Sequence, residues 1–105
     1  MITKAKYYGG GINHSSFVGT GPLDPRAARC WRVAAGGVGV LPDARELKGG
    51  ERLYLWNADG ASDFDVTDNA AGAVVTLAAG EVALIVCADN STQAGEWRAI
   101  PLSFL

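Results

Sequence analysis

The chain has 105 residues, 49% hydrophobic and 19% charged, with nine basic against eleven acidic side chains for a formal net charge of −2. That length suits one domain, the apolar share excludes the disordered class, and scattered charges with a slight acidic excess lack the basic stripe that nucleic acid demands. Lys4 and Lys6 lead into Tyr-Tyr-Gly-Gly-Gly rather than a secretory apolar stretch, and the longest apolar run, residues 82–88, falls far short of the roughly twenty that span a bilayer, so a soluble protein with no membrane partner is expected.

Residues 1–25 mix Tyr7, Tyr8, Ile12, His14, Phe17 and Val18 with glycines and close on Gly-Pro-Leu-Asp-Pro. Two prolines three apart fix φ and remove two backbone donors, which marks a boundary. The expected organisation is an extended N-terminal arm over 1–25 and one domain over 26–105. The arm either gains order on another surface, with Tyr7, Tyr8, Ile12, His14 and Phe17 as contacts, or adds an edge strand to its own domain.

Residues 26–29 can make one helical turn after Pro25. Residues 30–34 alternate, which predicts a strand with Trp31 and Val33 inward. Residues 36–39, three of them glycine, predict a flexible turn, and Pro42 predicts that the piece ending in it is an edge strand or a strand end. Residues 43–48 predict at most one helical turn, capped by Asp43 and cut off by Gly49 and Gly50.

In residues 53–56, Leu53 and Leu55 share one face while Tyr54 and Trp56 share the other, which predicts a central strand buried on both sides or an interface strand. Residues 64–67 predict a half-buried strand with Phe64 and Val66 inward. Residues 73–77 and 82–87 flank Ala-Ala-Gly-Glu and predict a hairpin. A last strand is expected at 97–100. Short strands at this spacing read as an all-β fold, a small antiparallel β-sandwich or jelly-roll-like barrel.

Reactive groups are few. His14, two residues from Ser16, is the sole histidine, and a glycine-rich arm gives a general base no support, so no catalytic residue is assigned. The glycine runs lack a following Lys-Ser or Lys-Thr, which excludes a phosphate-binding loop. Asp59, Asp63, Asp65 and Asp68 pose a calcium question, but their spacing is not that of an EF-hand loop, and turn or wet-face roles explain each of them; no metal and no cofactor are expected. Cys30 and Cys87 either bridge facing strands or act as buried thiols in a reducing cytoplasm. Among the aromatics, Trp31 and Trp56 suit core or subunit contact, Tyr54 a subunit contact, and Trp97, between Glu96 and Arg98, a surface site able to stack on a sugar.

The strand ending in Asn57, the strand 64–67 followed by Asp-Asn-Ala-Ala-Gly, the Thr-Leu-Ala-Ala-Gly turn at 76–80, the apolar strand after it and the Gly-Glu-Trp close at 95–97 resemble a pattern in small virion proteins of tailed bacteriophages. The resemblance covers about half the chain. It implies a non-enzymatic structural protein found on the virion and made in the host cytoplasm. The role it implies is a capsid decoration or head-associated subunit that binds the major capsid protein or another virion protein, as a homo-oligomer of the trimeric kind. The alternative within the same group is a glycan-binding module of a head fibre or tail appendage, using Trp97 and the loop from Asp59 to Asp68.

Overall fold

Strict alternation along one strand organises the molecule: Leu53, Leu55 and Asn57 are buried while Arg52, Tyr54 and Trp56 between them are exposed. Successive side chains of a strand point to opposite faces, so this strand has one face in a core and one in solvent. The computed structural model describes residues 14–17, 20–34 and 36–102. Among them it places β1 (His14–Phe17), β2 (Gly21–Pro22), β3 (Cys30–Val33), β4 (Gly37–Val40), a 3₁₀ turn (Ala44–Glu46), β5 (Arg52–Asn57), β6 (Phe64–Thr67), β7 (Ala73–Leu77), β8 (Val82–Asp89) and β9 (Glu96–Pro101). The fold is all-β.

Two mixed sheets share one core. The five-stranded sheet has the order β9-β8-β5-β3-β1 and the four-stranded sheet the order β2-β4-β6-β7. From β1 to β6 the chain changes sheet at every step, so each strand lies beside the one two steps earlier: β1/β3, β3/β5, β2/β4 and β4/β6 are all parallel. Only β6/β7, β5/β8 and β8/β9 are antiparallel. The expected antiparallel architecture is thereby corrected. Parallel neighbours need a crossover of a dozen residues or more, and here the strand in the opposite sheet with its flanking loops serves as that crossover.

The expected hairpin of residues 73–77 with 82–87 is also corrected, because β7 pairs with β6 while β8 pairs with β5 and β9. The turn itself forms, with Glu81 N–H donating to Ala78 O at 3.0 Å and Gly80 at φ 83°. Asn57 sets the direction in which the chain leaves this turn. Its side-chain amide donates to Leu77 O at 3.0 Å and Ser62 O at 2.8 Å, and its backbone accepts from Gly80 N and donates to Glu81 O. The turn is therefore fastened to the end of β5, and β8 starts in the other sheet.

The glycines at 36–39 give a strand where a turn was expected, and packing explains it. Gly39 faces the core, where an added Cβ would stand 2.4 Å from Leu23 Cδ1 and 2.9 Å from Phe64 Cε2. The missing side chain is the space that Leu23 and Phe64, both fully buried, occupy. Other expectations hold: Trp31 and Val33 point inward on β3, Phe64 and Val66 point inward on β6, and the Asp43 side chain accepts from Arg45 N to cap the 3₁₀ turn.

Of the stretch read as an arm, Tyr7, Tyr8 and Ile12 lie outside the described residues. His14 and Phe17 are the two ends of β1, an edge strand beside β3, and Leu23, just past β2, is fully buried with its N–H bonded to Val40 O at 2.8 Å. Among the described residues no helix is long and apolar enough to cross a membrane.

Candidate interaction face

The outward side of the five-stranded sheet carries every large hydrophobic side chain that is exposed among the described residues: Tyr54 at 41%, Trp56 at 45% and Ile100 at 47%. Strand register gathers them. Ile100 of β9 lies opposite Leu84 of β8, Leu84 opposite Tyr54 of β5, and Tyr54 beside Cys30 of β3, while Trp56 lies opposite Val82 and beside Arg32. Leu84, Val82 and Val86 are half-buried, so the apolar surface is continuous between the exposed rings and Ile100. Neighbouring strands stand about 4.8 Å apart, close enough for such cross-strand rows to touch.

Arginines rim this face. Arg32 places its guanidinium carbon 5.4 Å from the centroid of the Trp56 ring, within reach of a cation–π attraction. Arg52 and Arg98 flank Val86 at the other end, and Arg98 is paired with Glu96. Three arginines and one glutamate thus accompany the face, against four basic and ten acidic side chains elsewhere among the described residues. An apolar centre with a positive rim stands out on an otherwise acidic molecule.

The outer side of the four-stranded sheet differs. There Thr76 Oγ1 donates to Asp65 Oδ1 at 2.7 Å, and the flanking positions are Val38, Val40 and Thr67. Half-buried valines share it with polar groups, and none of the exposed large hydrophobics among the described residues lies there.

The tryptophans divide otherwise than the sequence suggests. Trp56, read as core or subunit contact, is exposed. Trp31, read as core or subunit contact and as facing inward, is in the core, with Nε1–H donating to Ala28 O at 3.0 Å. Trp97, read as a sugar platform, is 7% exposed with Nε1–H bonded to Ala94 O at 3.1 Å, and a buried ring offers no face for stacking. Of the three residues read as able to make a subunit contact, Tyr54 and Trp56 reach the surface. Ile100 was missed because an apolar residue facing away from the core reads, in sequence, like one buried on the second face of a sheet.

The four aspartates do not converge. Asp59 Oδ1 accepts from Ala61 N, Asp68 Oδ1 accepts from Ala70 N and Gly72 N, and Asp65 holds Thr76. Among the described residues no group of three His, Cys, Asp or Glu side chains is placed to hold a metal ion.

No family model, curated protein or solved structure matches the chain. What it does must be read from its own surfaces.

Both cysteines are free thiols. Cys87 faces the core from β8 and Cys30 faces out from β3, with β5 between them. Two strand spacings, about 10 Å, exceed the reach of a disulfide, and the side chains lie on opposite sides of the sheet. Burial pushes both thiols above the usual range, which keeps them protonated near neutral pH. Hydrogen bonds from Arg26, Arg45 and Ser91 hold Asp24, Asp43 and Asp89 respectively below the usual carboxylate range.

Proposed function

We propose that this chain is a non-enzymatic structural subunit acting through protein–protein contact, a bacteriophage virion protein of the decoration or head-associated kind. The grouping of Tyr54, Trp56 and Ile100 with Arg32, Arg52 and Arg98 on one side of one sheet carries the reading. Trp, Tyr and Arg are the residues enriched at the energetic centres of protein interfaces, and an exposed apolar patch rimmed by polar groups is the form such contacts take. The turn signatures shared with small virion proteins supply the setting. In this reading a two-sheet β-sandwich is the rigid body, the outer face of the five-stranded sheet is its subunit contact, and the leading segment with Tyr7, Tyr8, Ile12, His14 and Phe17 meets the major capsid protein.

The test is binding to empty shells assembled from the capsid protein encoded in the same genome. Purified chain is expected to bind and raise the temperature at which the shells open, and removal of residues 1–13 is expected to weaken binding while the circular dichroism spectrum stays unchanged. Shells that remain bare at saturating protein refute the role. A glycan-binding module is the second reading, favoured by two exposed aromatics on one strand face. It predicts a glycan-array signal lost on Trp56→Ala, with Trp97→Ala acting only through the fold.

A further inference from the structure

We infer that Asp59 is a site of spontaneous covalent modification, where the backbone rearranges through a cyclic imide to a β-linked isoaspartate while the chain stays folded.

Five aspartates among the described residues share one local geometry, each accepting with Oδ1 the backbone N–H two residues on: Asp24 from Arg26, Asp43 from Arg45, Asp59 from Ala61, Asp68 from Ala70 and Asp89 from Ser91. Such a turn folds the carboxyl carbon back over the peptide nitrogen between them. Attack by that nitrogen closes a five-membered ring, so what separates the five sites is whether the nitrogen and the carboxyl are free to react.

Four of them are held. Pro25 gives Asp24 a following nitrogen that carries no proton. Asp43 is gripped by Nε and Nη2 of Arg45 at 3.0 and 2.7 Å, and the next N–H, that of Ala44, donates to Gln93 O. Asp68 accepts a second N–H from Gly72, and Asn69 after it is tied at both side-chain ends, with Nδ2 donating to Leu41 O and Oδ1 accepting from Gln93 Nε2. Asn90, after Asp89, is fixed through Nδ2 to Leu47 O, while hydrogen bonds from Ser91 hold Asp89 below the usual carboxylate range and keep it ionised.

Asp59 differs on each count. Its successor is a glycine where an added Cβ would meet nothing within 4 Å, and among the described residues no group accepts from Gly60 N–H. Gly60 and Ala61 are both exposed. Glycine reaches the backbone angles of the ring without steric cost.

In the reaction Gly60 N bonds to Cγ of the protonated Asp59 carboxyl, and the hydroxyl departs as water with the proton of that N–H. A second water then opens the ring. Addition at Cγ restores aspartate, whereas addition at the main-chain carbon leaves the backbone running through Cβ and Cγ and frees the former carbonyl as a carboxylate. One water leaves and one enters, so the mass is unchanged. The new linkage adds one backbone atom between Asn57 and Ser62, whose bond from Asn57 Nδ2 to Ser62 O at 2.8 Å closes the loop, and the exposed residues between them absorb it.

Incubating the full chain for weeks at about pH 5, where some carboxyl groups carry a proton, tests the inference. Methyl transfer from labelled S-adenosylmethionine by an isoaspartate carboxyl methyltransferase measures the product, and electron-transfer fragmentation locates it. The expected result is label at residue 59 alone, formed at a rate within about fivefold of that in a synthetic peptide of residues 55–66, with mass and circular dichroism unchanged. Gly60→Ala should slow it by at least about fivefold, and Asp59→Glu should remove it. Melting curves confirm that each variant is folded. An absence of label, equal labelling at Asp68 or Asp89, a native chain slower than its peptide by more than the stated factor, or indifference to Gly60→Ala overturns the inference.

Discussion

Replacing Asn57 by alanine should cost more stability than any surface change of equal size. Asn57 is 0% exposed and is the one buried polar side chain among the described residues. Its Nδ2 donates to Ser62 O at 2.8 Å and Leu77 O at 3.0 Å, and its Oδ1 accepts from Asp59 N at 3.2 Å. Alanine takes a donor from the buried Leu77 O, at about 1–3 kcal/mol, while Ser62 O and Asp59 N, nearer the surface, regain water and lose about 0.5 kcal/mol each. The sum is about 3 kcal/mol. For a domain of this size that lowers the melting temperature by roughly 12–20 °C. Urea unfolding followed by tryptophan fluorescence should show the midpoint falling with an unchanged slope. Asn57→Asp should be worse, because it removes both donors and places a carboxylate against two carbonyl oxygens. A loss under about 1 kcal/mol for the alanine variant, or an aspartate variant more stable than the alanine one, would refute the assignment of Asn57 as the clasp between the sheets.

Gly39→Ala, which brings a methyl group within 2.4 Å of Leu23 Cδ1, should destabilise by about 1–3 kcal/mol, and Leu23→Ala in the same chain should recover part of that loss; strictly additive effects would argue against their contact. Under native conditions near pH 7.5 a thiol reagent should modify Cys30 slowly and leave Cys87 untouched until urea is added, and an intact mass without reductant should show two free thiols; simultaneous reaction of both would contradict their placement. Asp24, Asp43 and Asp89 have folded values below the unfolded 3.8, so the folded state binds fewer protons in acid. Their contribution to stability is complete above that value and is lost as pH falls through the depressed ones. Denaturation midpoints should therefore hold from pH 7 to about 4 and drop below, and a decline that starts near pH 6 would assign the effect to another group.

What could be read in the sequence was local. The inward sides of β3 and β6 follow from two-residue alternation over four positions, and the 3₁₀ turn follows from Asp43 ahead of a short run stopped by Gly49 and Gly50. What escaped is decided by partners far along the chain. Nothing between residues 73 and 87 distinguishes a hairpin from a corner between sheets, because the deciding hydrogen bonds come from Asn57. Parallel pairing of Cys30 with Tyr54, or of Gly37 with Phe64, leaves no turn signature at all. The candidate face was half legible: Tyr54 and Trp56 alternating with Leu53 and Leu55 marked an unusual strand, while Ile100 and Leu84 joined them only through register.

The winding of the chain between sheets also sets an order of events during synthesis. Strands β1 to β4 have only one another, at separations of 16 to 18 residues, until Tyr54 and Phe64 emerge to extend each sheet. The neighbouring pairs β6/β7 and β8/β9 close the shortest loops and should form first, with the earlier-made half annealing onto them afterwards. A nascent chain halted at residue 50 should remain as sensitive to protease as an unfolded one, and protection arriving before β5 is complete would reverse that sequence. The first half of the molecule is thus translated early and expected to mature late, once its neighbours in both sheets have been made.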